Sequence, residues 1–519
     1  MHRRIPLFAR ITGVAAAAVL AIAGTGGIAA AAPQADEPAS TPVDYHIVAG
    51  ATYAYVVNAR QLTPGQQMLV ENAVRDSGGT IVMSYPQIGV VVAHSANANF
   101  KADVMKNAKG NSVLSVGMTR TVPVKEGTID NGKTTPGATG KGQQADGVVS
   151  EDTSEDVVPD PNEALNAWSQ AQIQATAAHE ITDGSPRVLV GILDSGIDPN
   201  HNEFQGKINY AASVGCVNAG VPNTSPDAWK WTNSTHGTHV AGIIAAARNG
   251  IGIVGVAPAV SLAIIKVVND DGFIYPEYAI CGFVWAAEHG VSVTNNSYYI
   301  DPFEYWCSDQ PDQAAAKEAI TRAVNYATSK GIVSVVAAGN GYRDLNFDAQ
   351  GTTVASAPKY KYYDVGSPND AAAPTVRQLN SNCTDLPNEI PTVVSVSATT
   401  STGALASFSN RGLGKIDVAA PGNGIQSTLP GNAANPTGRY GSMSGTSMAS
   451  PHVAGVMALM KSAHPNWTPA QMIDYLHATA LPHACPASPT RAQDAPCMGT
   501  TEYNSYYGYG IANALGAVQ

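Results

Sequence analysis

Three short stretches of this 519-residue chain carry residue types that can act together on an acyl group. Asp194 closes the apolar run Val190-Gly191-Ile192-Leu193. His236 opens His236-Gly237-Thr238-His239-Val240-Ala241-Gly242. Ser447 lies in Ser444-Gly445-Thr446-Ser447-Met448-Ala449-Ser450-Pro451-His452. A serine hydroxyl is a poor nucleophile at neutral pH. An imidazole beside it can take its proton, and a buried carboxylate can hold that imidazole in the right tautomer. Each stretch alone has a plain reading: a helix-capping Asp, a structural His, a Gly-Thr-Ser loop. Together they spell nucleophilic acyl transfer. A zinc-peptidase reading fails, because His179-Glu180-Ile181-Thr182-Asp183 offers no second His one turn on.

The elements that must position these residues are legible in the hydrophobic pattern. Short apolar strands are expected at Val188–Leu193, Leu262–Val268, Val291–Thr294, Ile332–Ala337, Val393–Ser397 and Ile416–Ala419. Helical stretches such as His239–Ala247, Glu277–His289 and Ala314–Ser329 lie between them. Continuously apolar strands separated by helices predict an α/β fold, a parallel sheet covered on both faces. Functional residues then belong at the carboxyl ends of strands. Ser447 sits near a helix start, where the dipole and free N–H groups favour developing negative charge. The chain order Asp…His…Ser differs from the Ser…Asp…His of α/β-hydrolases and the His…Asp…Ser of chymotrypsin. A lipase or esterase is disfavoured on that ground, and Gly445-Thr446-Ser447-Met448-Ala449 lacks the second Gly of a nucleophile elbow.

These motifs, with Gly508-Tyr509-Gly510-Ile511-Ala512-Asn513-Ala514, resemble those of subtilisin-like serine peptidases over about residues 165–519. The resemblance implies that Asp194 orients, His236 acts as base and Ser447 attacks. His239 and His452 would be structural. Val335-Val336-Ala337-Ala338-Gly339-Asn340 resembles the strand whose final Asn donates its amide to an oxyanion, with the Ser447 N–H as second donor. Asn295, Ser297, Tyr298 and Tyr299 match the substrate-binding strand. The family usually has glycines where Tyr298, Tyr299 and Ile300 stand, so narrowed or reshaped subsites are expected. Gly341–Ile390 is longer than the family norm; it borders the S1 subsite and could restrict access. Glu203, with Ala247, Asn249, Ile251 and Ile253, resembles a calcium loop, which implies a structural calcium ion and no catalytic cofactor.

The rest of the chain reads as export and maturation machinery. Residues 1–31 form a signal peptide: a basic start (His2, Arg3, Arg4, Arg10), an apolar stretch Ile11 to Ala23, and Ala29-Ala30-Ala31 for cleavage. Residues 45–122 follow the order β-α-β-β-α-β of a small ferredoxin-like α+β unit. By resemblance this is an inhibitor-type propeptide, an intramolecular inhibitor whose tail Val122-Pro123-Val124 would enter the cleft. Residues 123–160 hold eight acids against three lysines and almost no large apolar side chains, an acidic flexible linker open to nicking. The peptidase domain is 161–519.

Composition narrows the partners. Net charge is −11, against nucleic acid as a ligand. Charged residues are 13%, below the roughly 25% typical of soluble domains. Beyond the signal no apolar run is long enough to cross a membrane. Six cysteines in an exported chain permit disulfides. Cys485 and Cys497 flank a Pro-rich loop and make the first pair; Cys216, Cys281, Cys307 and Cys383 leave three connectivities open. The expected protein is a secreted, extracellular, monomeric serine endopeptidase made as a prepro-zymogen and acting on protein or peptide substrates. Both restricted processing and broad degradation are open. The alternative is a catalytically silent binding protein on the same scaffold.

Overall fold

A computed structural model of the chain describes residues 38–45, 47–124, 160–346, 363–371, 375–487 and 496–519. The signal peptide, and the linker apart from residues 123, 124 and 160, lie outside the described residues. Residues from Ala39 onward form one unit.

The N-terminal part has the expected element order: β1 (Tyr53–Ala59), α1 (Pro64–Asp76), β2 (Gly79–Tyr85), β3 (Val90–Ser95), α2 (Phe100–Asn107) and β4 (Val113–Met118). The strands form one antiparallel sheet in the order β2-β3-β1-β4. Helix α1 starts where Thr63 and Pro64 predict it. The Thr63 hydroxyl accepts the Gln66 N–H at 3.3 Å, and Pro64 sits where a missing N–H costs nothing. Side chains alternate across a strand, so the sheet serves two cores. Tyr55 and Val57 pack with Val70, Val74, Phe100 and Val104 of its own helices. Val56, Val90 and Val92 face the other way, into the cluster that holds Ala315, Ala319 and Ala323.

The large part is a seven-stranded parallel sheet: β5 (Leu189–Asp194), β6 (Val214–Gly215), β7 (Ser261–Lys266), β8 (Val293–Asn296), β9 (Val333–Ala337), β10 (Val393–Thr399) and β11 (Val418–Pro421). Their spatial order is β11-β10-β9-β8-β5-β7-β6. Six strands were legible as apolar runs. The edge strand β6, two residues long, is too short to show a pattern. Around the sheet lie α3 (His236–Ala245), α4 (Pro276–Glu288), α5 (Pro311–Ser329) and α6 (Thr446–Ala463). Helix α6 is buried from Thr446 through Met460. Between β5 and β8 the strand order reverses, which opens a crevice at their carboxyl ends.

The N-terminal sheet rests on α5 and the neighbourhood of α4. Asn58 Nδ2 donates to the Ala315 carbonyl at 2.8 Å, and the Met118 N–H to Asp312 Oδ1 at 2.8 Å. The Tyr85 hydroxyl reaches the Gly220 carbonyl at 2.9 Å. Arg322 donates to the carbonyls of Ala59, Ile88 and Gly89 at 3.0–3.2 Å. A Cβ on Gly117 would lie 2.4 Å from the Asp312 carbonyl oxygen, so β4 can approach the helix only as glycine there. The Val124 N–H donates to the Thr52 carbonyl at 2.8 Å, so the tail stays beside the start of β1.

Three disulfides form: Cys216–Cys281, Cys307–Cys383 and Cys485–Cys497. The last is the pair expected, and the first two settle which of the three open connectivities holds. Among the described residues, no helix is long and apolar enough to cross a membrane.

Candidate active site

Asp194 stands at the carboxyl end of β5, on the crevice, with only 1% of its surface exposed. Its Oδ1 accepts the Ser195 N–H at 2.7 Å, and both oxygens lie 2.9 Å from His236 Nδ1. A carboxylate so placed requires Nδ1 to carry the proton, which makes Nε2 the acceptor of the ring. His236 is the first residue of α3. The next position must be glycine, because a Cβ on Gly237 would lie 2.3 Å from the Gly196 carbonyl oxygen. The β5 turn and the start of α3 can therefore press together, which brings the imidazole onto the carboxylate.

Ser447 is the second residue of α6, where backbone N–H groups have no helical acceptor. Pro451 lies inside this helix and has no N–H for the carbonyl four residues back, that of Ser447. The Ser297 hydroxyl fills the gap, donating to the Ser447 carbonyl at 2.9 Å. The Ser447 hydroxyl in turn donates to the Ser297 carbonyl at 3.3 Å. That is longer than an ordinary O–H···O bond of about 2.7–2.8 Å, so the hydroxyl is lightly held.

Asn340 follows β9 and is clamped by one atom. Its Oδ1 accepts the Thr446 N–H at 2.7 Å and the Thr446 hydroxyl at 2.9 Å. This fixes the amide so that Nδ2, buried, has no hydrogen-bond partner. A Cβ built on Gly445 would lie 3.4 Å from that Nδ2 and 3.5 Å from the Ser447 backbone nitrogen. Two donors thus face one small space beside the hydroxyl. An unsatisfied buried donor costs about 1–3 kcal/mol, and an incoming oxyanion would recover it.

His239 and His452 are buried and bonded to main chain. His239 Nε2 meets the carbonyls of Ile425 and Gly441 at 3.0 and 3.2 Å, and His452 Nδ1 meets that of Met448 at 2.8 Å. Burial pushes their pKa values down to about 3 and about 4, so both stay neutral at working pH.

The strand matched to substrate binding splits into different roles. Asn295 is fully buried and braces α6: its Oδ1 accepts the Ser450 hydroxyl at 2.8 Å and its Nδ2 donates to Ser297 Oγ at 2.9 Å. Tyr298 points into the core, and its hydroxyl donates to Asn296 Oδ1 at 3.1 Å. Tyr299 faces the long insertion instead, with its hydroxyl 3.3 Å from Asn369 Nδ2. Asn369 also donates to Asp301 Oδ1 at 2.6 Å, while Asp301 Oδ2 accepts the Ile274 N–H at 2.6 Å. The crevice wall and the insertion are thereby tied together, a link that no local motif signals.

Glu203 and the loop 247–253 come together as the calcium resemblance implies. The Glu203 carboxylate is buried and accepts the Tyr440 hydroxyl, Asn249 Nδ2 at 3.0 Å and the Ile253 N–H. Burial pushes its carboxyl up to about 7, the mark of an anion held by neutral donors only. Glu163 approaches the same loop, accepting the Asn249 and Gly250 N–H groups at 2.6 Å each. Among the described residues no hydrogen bond uses the carbonyls of Ala247, Ile251 or Ile253. Buried carboxylate and unused carbonyl oxygens fit a hard cation. Arg248 turns away to Asp183, at 2.8 and 3.0 Å, and adds no charge inside the loop.

Residues 185–510 match the Subtilase family. Subtilisin E of Bacillus subtilis is 34% identical over 350 residues, 67% of this chain and 70% of that one. A Bacillus pumilus subtilisin is 34% identical over 350 residues, 67% of this chain and 97% of that one. Two solved structures share the fold. The epidermin leader peptide processing serine protease of Staphylococcus aureus has a TM-score of 0.61 at 20% identity, covering 90% of this chain and 98% of that one. Fervidolysin of Fervidobacterium pennivorans, a keratinolytic enzyme, has a TM-score of 0.59 at 22% identity, covering 91% of this chain and 62% of that one.

Proposed function

Because this chain belongs to the subtilase family and is a serine-type endopeptidase, we propose that Asp194, His236, Ser447 and Asn340 carry peptide-bond hydrolysis in it. The Ser447 oxygen attacks the scissile carbonyl carbon while its proton passes to His236 Nε2. Asp194 holds the imidazole and stabilises the imidazolium. The oxyanion takes hydrogen bonds from Asn340 Nδ2 and the Ser447 N–H. The proton then goes to the leaving amine, and water cleaves the acyl-enzyme by the reverse sequence. The observation that carries this reading is a paired geometry: Nδ1 of His236 on both Asp194 oxygens at 2.9 Å, and a buried, unpartnered Asn340 amide beside Ser447. A serine-directed phosphonofluoridate should label the mature protein at Ser447 alone, located by peptide mass mapping. Labelling elsewhere, or none, would overturn the assignment.

We further propose an exported zymogen. Its parts are a signal at 1–31, a pro-region at 45–122, a linker at 123–160 and a peptidase at 161–519. The separate core of the N-terminal sheet and its seat on α5 support the pro-region. The tie from Tyr299 through Asn369 to Asp301 supports restricted rather than broad specificity.

Glu203, Asn249 and the carbonyls of Ala247, Ile251 and Ile253 would hold a calcium ion with a structural role, stitching the loop after α3 to the body. A chelator should then lower the thermal unfolding midpoint by roughly 5 °C or more, and added calcium should restore it. An unchanged midpoint removes the metal.

A further inference from the structure

The insertion does more than line one side of the crevice. Its described residues hold together. Strands 363–367 and 375–378 pair antiparallel, and Cys383 is bridged to Cys307 on the segment before α5. Arg377 lies fully buried at its centre. It donates to Asp364 Oδ2 at 3.0 Å, the Tyr305 carbonyl at 3.2 Å and Gln313 Oε1 at 3.0 Å. Both ends of the N-terminal unit finish on this structure. At the leading end, the Ser40 N–H and hydroxyl donate to the two oxygens of Asp309 at 2.8 and 2.7 Å. Asp309 is locked to the insertion by Asn380 Nδ2 at 2.7 Å. Thr41 exchanges two bonds with the main chain of Gln378: its N–H donates to the carbonyl at 2.9 Å, and its hydroxyl accepts the N–H at 2.8 Å. At the trailing end, the Thr121 N–H donates to Asp370 Oδ2 at 2.9 Å and its hydroxyl to Oδ1. Beside it, Arg120 is buried in an ion pair with Glu277, its guanidinium 3.8 Å from the Tyr275 ring centre.

We infer that Asp370, Gln378 and Asn380 of the insertion, with Asp309 before α5, form a clamp for the pro-region, gripping the lead-in at Ser40–Thr41 and the tail at Thr121, so that the pro-region stays seated after the chain is cut beyond Val124. This rests on reading residues 45–122 as a pro-region. The physical argument is one of two-point attachment. A cut in the linker frees one covalent end, but each end of the fragment keeps its own charge-assisted bonds. Either contact, while made, holds the other at high effective concentration. The long-lived species is then a nicked, inhibited complex, and release sets the onset of activity.

The test uses the full chain. Wild type and the double variant Asp309→Ala/Asp370→Ala are expressed and allowed to mature. Two quantities are followed: the lag before a chromogenic peptide is hydrolysed, and the pro-fragment retained on gel filtration. Losing charge-assisted bonds at both ends should shorten the lag on the order of tenfold or more and strip the fragment during filtration. The final kcat/KM should match wild type, since neither residue touches the reacting atoms. Ser40→Ala/Thr121→Ala, which leaves the peptidase sequence intact, must reproduce the result and guards against a folding defect in the insertion. A wild-type lag that neither variant shortens overturns the clamp and leaves the pro-region reading standing. A wild-type protein active from the outset, with no retained fragment, overturns the pro-region reading and the clamp with it.

Discussion

Ser447→Ala should reduce peptidase activity by about 10⁶-fold, a magnitude taken over from subtilisin itself. The substitution removes the attacking oxygen and nothing else of consequence. The hydroxyl's only described bond is the light 3.3 Å contact to the Ser297 carbonyl. The helix gap at Pro451 is filled through the Ser447 carbonyl, which alanine keeps. The variant should therefore fold with an unchanged thermal midpoint. If maturation is self-catalysed, it should also accumulate as an uncut precursor, visible by denaturing electrophoresis. Asp194 and His236 still pair in this variant. Background hydrolysis above solvent would then report the two oxyanion donors alone, since members of a triad are not additive. Activity near wild type would remove Ser447 from its role.

Asn340→Asp should lower kcat by about 10²–10³-fold with little change in KM, a range again taken over from a subtilisin. The choice of Asp is deliberate. Asn340 Oδ1 carries a structural load, accepting both the N–H and the hydroxyl of Thr446 at 2.7 and 2.9 Å. Aspartate keeps an acceptor there and replaces only the unpartnered donor. A companion substitution attacks the same space from its other side. Gly445→Ala would place a methyl carbon 3.4 Å from Asn340 Nδ2 and 3.5 Å from the Ser447 nitrogen. The Gly445 φ of 162° is extended backbone open to any residue, so this variant should fold normally and still lose kcat. Steady-state kinetics on one peptide separates the outcomes. A rise in KM at constant kcat in either variant would mean that the space binds substrate in its ground state rather than the oxyanion.

Much of the fold was readable because its signals are local. Six of the seven sheet strands overlap the expected short runs and most are apolar, which is what burial on both faces demands, although β8, Val293–Asn296, is buried with polar side chains. The start of α1 was readable from Thr63 and Pro64, two adjacent residues with one physical role each. The two-residue edge strand carried no such signal. Within the site, Asp194 and His236 were legible as partners from motif and order, and they meet at 2.9 Å. The direction of Tyr298 was not legible. Side-chain direction depends on which neighbours leave room, and here the core offers Asn296 as an acceptor. The contact of the Val124 N–H with the Thr52 carbonyl was not legible either, because its two partners lie some seventy residues apart in the chain.

The sequence by itself determined the chemistry. Which serine, histidine and carboxylate could cooperate follows from residue types in short motifs, and their order along the chain selects the α/β scaffold. The tertiary structure decided everything that depends on two distant segments finding one another. It chose Cys216–Cys281 and Cys307–Cys383 from three possibilities. It turned the Asn340 amide by giving its oxygen to Thr446. It set Thr121 on Asp370 and Ser40 on Asp309, across 249 and 269 residues. The physical reason is the range of the forces. Propensity, capping and hydrophobic period act over a few residues and are written in order along the chain. Pairings across hundreds of residues are fixed only when the whole core has packed and the closure entropy of each intervening loop has been met.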